Sequence, residues 1–411
     1  MTHPKRNYMR KDQPFPIEKS DPDLCSFLRN AWESGWFDDY ADKHFLIQAI
    51  EGKLSTFIGK EQMIKNNIDT QGIVMPNGNI KNLSFCLNFC INFSQKLKYL
   101  SQIFSASDIK DFITNQLSAG KKHYDENTFF QALSEVSVLA FYASRGCWDQ
   151  AVYEPSTVKN GKNPEARFIG SPLCRLSSQP DKEVKQCVIV NVEVKAPKFP
   201  KEIHQQTDII LPTTLLSEHG RAIIPEFCEQ HDIVYLSPRI TKLKDFLNSA
   251  ASKFSIPEDH EYNLLYINWS YCDFPVNGFL EAWGLLTNAI NGILNHPEIA
   301  RRVGVVPDVF KKITAVIVYT ESLEGLMFSD LRYIWQRNGA GPKFRMWVLD
   351  PKLREEELSD QSDILYHITG MNPDRNEKRL FLSSYKNKSF KELVDVNQAL
   401  QELFEENALR V

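Results

Sequence analysis

The apolar positions of this chain recur with two different periods, and the change falls near Asp125. From Asp21 to about Lys65 the spacing is helical: Leu24, Phe27, Leu28 and Trp32 share one face, with Asp21 or Asp23 as candidate cap. Pro76-Asn77-Gly78-Asn79 reads as a turn, and residues 83–103 as a second apolar, Phe-rich helix. Residues 127–145 form a strongly apolar helix, closed by Gly146 where a C-terminal glycine belongs. Strand text then dominates at 151–154, 165–169, 187–194, 262–269, 313–320 and 344–349. Helical text intervenes at 242–254, 278–294 and 329–335. The run 187–194 is almost wholly β-branched or apolar, as in a strand buried on both faces, and Pro197 stops it.

These patterns divide the chain into four parts. Residues 1–20 are a flexible basic arm, and 21–124 a helical accessory domain without catalytic spacing. Residues 125–350 form an α/β domain that alternates helices and strands. Residues 351–411 are a charged, largely helical extension, expected to serve as a lid or an interaction element.

Composition narrows the classes. With 411 residues, 42% hydrophobic and 24% charged, the chain has the balance of a globular protein with more than one unit. No apolar run approaches the ~20 residues of a membrane helix, and no apolar segment follows the basic N-terminus as in a secretory signal. Eight cysteines, single apart from Cys86 and Cys90, suit a reducing cytoplasm; Cys147 and Cys187 are expected to be buried. A net charge of −4 argues against nucleic acid coating the whole surface, so any such site must be local. Residues 159–201 are locally basic, with nine Lys or Arg against four Asp or Glu, which favours contact with a polyanion.

The candidate chemistry lies at the end of the central strand. Glu193 and Lys195 are two apart, so both leave one face of it, roughly 6.6 Å apart along the chain. Burying an acid and an amine there is costly unless a metal, a reaction or an ion pair offsets it. Glu165 follows Pro164 and opens a neighbouring strand, 28 residues before Glu193. Glu135 interrupts the apolar helix and either belongs to the same site or pairs with Arg145 or Arg167. Two carboxylates of this kind suit Mg²⁺ (or Mn²⁺), which keeps several waters and makes hydroxide near neutral pH. Glu165 and Glu193 would be the ligands, with the Val194 carbonyl as a third. Lys195 would orient the attacking water or steady the developing charge. Glu154, Lys198, His204 and Gln205 are further candidates for substrate contact, otherwise surface residues.

The order helix, strand, strand, strand, helix, strand, with Pro164-Glu165 … Glu193-Val194-Lys195, resembles the PD-(D/E)XK phosphodiesterase superfamily. One departure is that Glu165 stands where that family more often has Asp. The resemblance implies a restriction-endonuclease-like core, a mixed central β-sheet flanked by helices, with Glu135, Glu165, Glu193 and Lys195 as its active-site positions. It further implies a magnesium-dependent nuclease acting on DNA ahead of RNA, in the cytoplasm, with defence against phage or foreign DNA as a role. The partners expected are nucleic acid and no membrane, with a homo-oligomer and a protein partner for the N-terminal domain left open. The alternative is a catalytically inactive relative that binds nucleic acid or protein.

Other motifs fail. Ser118-Ala119-Gly120-Lys121-Lys122 lacks the first glycine and the Ser/Thr of a P-loop. Cys86 and Cys90 lack a second pair at zinc spacing, and a core helix explains them. Tyr266, Trp269 and Tyr271 could stack on bases but suit a core better.

Overall fold

The apolar helix after Asp125 and the strand ending Glu-Val-Lys lie against one another at the centre of the molecule. The structure is a computed structural model. It describes residues 9–16, 25–53, 82–120, 123–155, 163–176, 178, 181–197, 239–269, 282–287, 292–319, 344–350, 353 and 360–370. The expected turn at 76–79, the helical text at 329–335, and Asp21, Asp23, Lys198, His204, Gln205 and Tyr271 lie outside these.

Among the described residues four α-helices come first: α1 (Ser26–Glu33), α2 (Phe45–Ile50), α3 (Asn82–Ser101) and α4 (Ala106–Asp111). Helix α5 (Glu126–Ser144) begins where the Asp125 side chain accepts a hydrogen bond from the Thr128 N–H. It ends at Gly146, whose φ of 65° only a residue tolerant of the left-handed region adopts easily. Strands β1 (Trp148–Tyr153), β2 (Ala166–Gly170), β3 (Leu173–Arg175), β4 (Glu183–Lys185) and β5 (Val188–Lys195) follow. Then come α6 (Arg239–Lys253), β6 (Glu261–Asn268), α7 (Pro297–Val303), α8 (Val309–Lys312), β7 (Ala315–Tyr319), β8 (Phe344–Val348) and α9 (Asp360–Thr369).

Six strands form one mixed sheet in the order β1-β2-β5-β6-β7-β8. β1, β2 and β5 pair antiparallel, β5, β6 and β7 parallel, and β8 closes antiparallel on β7. The chain is thus α/β with helices on both sheet faces. On one face Val188, Val190, Val192 and Val194 join Tyr262, Leu264, Tyr266 and the α5 residues Phe129, Val136 and Tyr142 in a single core. On the other, Leu265, Ile267, Val316 and Val318 pack with Leu243, Leu247 and Ala250 of α6. Two buried side-chain bonds tie α5 to β6: Tyr142 Oη to Tyr266 Oη at 2.7 Å, and Asn268 Nδ2 donating to Ser134 Oγ at 2.9 Å.

Several expectations change. The first core also contains Leu28, Trp32, Phe45, Phe89, Phe93 and Phe112, so packing is continuous across the boundary expected at 124/125. Of the expected arm, residues 9–16 are folded against the helices: Phe15 is buried, the Trp32 Nε1–H donates to the Gln13 carbonyl at 3.0 Å, and Arg10 bonds to the Phe37 carbonyl at 2.7 Å. Cys147 is half-buried and Cys187 exposed, because Cys187 precedes β5 instead of opening it. Cys86 and Cys90 are core residues of α3, and Tyr266 and Trp269 are fully buried. Leu173–Arg175 and Glu183–Lys185, where no strand was expected, pair as the β3–β4 hairpin. Helix α9 sits beside that hairpin, where Ser178 donates through its N–H and hydroxyl to Asp360 at 3.1 and 2.6 Å. This part of the C-terminal extension therefore lies at the end of the sheet remote from Glu193 and does not cover it. Among the described residues no helix is long and apolar enough to cross a membrane.

Candidate functional site

Strand alternation sends Asn191, Glu193 and Lys195 toward α6 while the intervening valines face α5. Antiparallel pairing sets Ala166 opposite Val192, which brings the residue before β2, Glu165, beside the end of β5. Two distant acids and one amine therefore meet. Glu193 has no exposed surface and is in ion-pair contact with Lys195, whose Nζ also lies 3.8 Å from Glu165 Oε1.

A fourth side chain enters from the last residue of α6. Lys253 Nζ lies 2.7 Å from Glu193 Oε1, 2.9 Å from Glu193 Oε2 and 3.3 Å from Glu165 Oε1. Sequence reading missed it. A lysine in the final turn of a helix is the ordinary complement of the helix dipole, and that reading hides this one. The signal available was its place on the helix that returns the chain into β6, beside β5.

Glu135 approaches from the α5 side and makes no ion pair with the cluster. Its Oε1 accepts a hydrogen bond from the Tyr153 hydroxyl at 3.2 Å. Neither arginine proposed for it takes that place: Arg167 pairs with Glu261 at 2.9 Å, and Arg145 lies over the Phe141 ring. Burial, with the like charges of Glu165 and Glu193, raises its carboxyl well above the usual range, while Tyr153 pulls it down. The same forces act on Glu193, where burial and then Glu165 push the carboxyl up to about 7 against the pull of Lys195 and Lys253. Burial lowers the Lys253 amine, but Glu165 and Glu193 outweigh it and the net shift is upward. Glu154 is also near: its N–H donates to the Glu165 carbonyl at 3.0 Å from a strained φ of 45°, and burial followed by the Glu165 charge raises its carboxyl.

The residues present fit a divalent cation with two carboxylate ligands. Glu193 Oε1 is wholly buried and, though both ammonium groups are within ion-pair reach, no hydrogen bond is aligned on it. Such an oxygen suits a hard cation. Among the described residues no three His, Cys, Asp or Glu side chains are grouped as they would be around one metal ion. Val194, expected to lend its carbonyl, lies between Glu193 and Lys195 with its side chain in the opposite core.

The basic segment proves to be split. Arg167 and Lys195 are held in ion pairs, and Arg175, Lys182 and Lys185 belong to or adjoin the β3–β4 hairpin, which joins the far end of β2 to the start of β5. Eight residues of β5 separate that hairpin from Lys195, about 25 Å of strand. Those three cations therefore serve no ligand at the site, while Lys159, Lys162, Lys198 and Lys201, whose segments flank it in sequence, lie outside the described residues.

Searches against protein-family models, curated proteins and solved structures found no match to this chain.

Proposed function

We propose that the chain is a metal-dependent nuclease with a restriction-endonuclease-like core, hydrolysing phosphodiester bonds, of DNA ahead of RNA. The observation that carries this reading is the meeting of Glu165, Glu193 and Lys195 at one strand end, 28 residues apart in the sequence. The element order supports it: α5, then the antiparallel β1, β2 and β5, then α6, then β6 parallel to β5.

Glu165 and Glu193 would hold Mg²⁺ or Mn²⁺, which when bound supplies an activated water and charge stabilisation at phosphorus. Lys195, held at Glu193 by its position on the same strand face, presents an ammonium to the charge that develops on the phosphoryl oxygens. Glu135 and Tyr153 act one step back, orienting water through their hydrogen bond. Burial of the Glu193 carboxylate excludes bulk water from its inner side and strengthens its interactions with its cationic neighbours.

Plasmid and single-stranded RNA, incubated with the protein and Mg²⁺ or Mn²⁺, test this. Expected is metal-dependent cleavage that Lys195→Ala and Glu193→Gln each lower by about 10²–10³-fold, with Glu135→Gln falling by less. Absence of cleavage that Lys195→Ala abolishes, under every metal condition, would refute the reading. It would favour the second one, a non-catalytic nucleic-acid- or protein-binding relative, for which one observation speaks: two ammonium groups already compensate the carboxylates.

A further inference from the structure

The carboxylates given to the metal are already bridged. Lys253 Nζ is within 3.3 Å of oxygens from both Glu165 and Glu193, and it donates hydrogen bonds to each. Lys195 leans unequally, in contact with Glu193 but 3.8 Å from Glu165. Lys253 thus occupies the place between the two acids that a bridging cation would take.

The two occupants exclude one another. A magnesium ion needs its oxygens at about 2.1 Å, and an ammonium hydrogen-bonded to the same oxygens fills that space. Charge points the same way. Glu165 and Glu193 are balanced by Lys195 and Lys253; a divalent cation added to all four would leave an excess of two positive charges in a confined site. The two lysine side chains are only 20% and 12% exposed, so solvent screens that repulsion poorly. Lys195 is fixed by a strand paired on both sides, whereas Lys253 ends a helix on a four-carbon stem that reaches in from outside the sheet.

Resting on the nuclease reading, we propose that Lys253 is a stand-in cation. It holds Glu165 and Glu193 together until a divalent metal binds, is displaced by that metal, and then offers its ammonium to the phosphate of the substrate. Metal binding and phosphate binding would thereby be coupled through one side chain, with Lys253 as a positioning residue for both.

Amine acylation of the full-length wild-type chain, read by mass spectrometry with and without Mn²⁺, tests displacement directly. Lys182, exposed and remote, is the internal reference. Expected is a rise of about tenfold or more in labelling of Lys253 relative to Lys182 on adding Mn²⁺, absent in Glu193→Gln. Mn²⁺ binding is followed separately by its electron paramagnetic resonance signal, and Lys253→Met should tighten it about tenfold. If Mn²⁺ binds in a Glu193-dependent manner but Lys253 labelling is unchanged, or Lys253→Met leaves affinity unchanged or weaker, displacement is wrong and the nuclease reading survives. If no Glu193-dependent Mn²⁺ binding occurs, both fall together.

Discussion

His44 shows how one residue can tie stability to pH. It is fully buried, its Nδ1 accepts from the Leu46 N–H at 3.1 Å, and its Nε2 faces the Leu117 carbonyl at 2.9 Å. Those partners demand the neutral ring with its proton on Nε2, so a second proton would break the cap of α2. Burial lowers the His44 pKa to about 4, against the pull of the Leu117 carbonyl, from 6.5 when unfolded. The unfolded chain therefore takes up the proton first as pH falls. The stabilisation is complete above about pH 6.5 and is lost progressively toward pH 4, by about 3 kcal/mol at most. Urea denaturation between pH 7 and pH 4 should show this loss, and His44→Gln should flatten that part of the profile. Single residues also mark what the sequence could tell. Glu165, Glu193 and Lys195 were legible because strand alternation and a short motif fix them locally. Lys253 was not, since only tertiary packing of α6 against β5 brings its amine to the acids.

At the scale of elements, the β1–β2 pair depends on a missing side chain. A Cβ on Gly170 would lie 2.3 Å from the Cys147 carbonyl oxygen and 2.7 Å from the Trp148 Cα, where the register shifts between Trp148 and Gln150. Both obstacles are backbone and cannot turn aside. Gly170→Ala should cost about 1–3 kcal/mol in chemical denaturation, as overpacking does, and should loosen the edge that carries Tyr153 to Glu135. The strands themselves were readable, since four of the six in the main sheet are at least half β-branched or aromatic. The β3–β4 hairpin was not: its three-residue strands are half-exposed and alternate too briefly to show a period. The same shortness concealed that its cations lie a strand's length from the site.

Across the whole molecule, the helices before Asp125 are part of the fold that holds the site. Phe129 of α5 stacks on Phe45 with ring centroids 5.8 Å apart, and Lys96 of α3 donates to Ser137 of α5 at 3.0 Å. Expression of residues 125–411 alone would bare that face of α5, a large apolar patch. The expected outcome is an aggregated product without a cooperative thermal transition, whereas the full chain melts in one transition by circular dichroism. Periodicity revealed α1, α2, α3 and α5 but neither α4 nor this shared interior, because text shows which face is apolar and not what it meets. The sheet is also divided in its duties along its length. Before Glu193 on the same face, Arg167 and Asn191 converge on Glu261, and Asn191 also reaches Asn263, with Asn191 Nδ2 2.8 Å from Glu261 Oε1 and 2.7 Å from Asn263 Oδ1. A slip of one residue between β5 and β6 would separate these partners and turn Glu193 toward the valine side. The acids thus owe their aim to a polar clasp centred on Asn191, two residues upstream of Glu193 on the same strand face, and damage there would surface as misdirected chemistry at the neighbouring side chains.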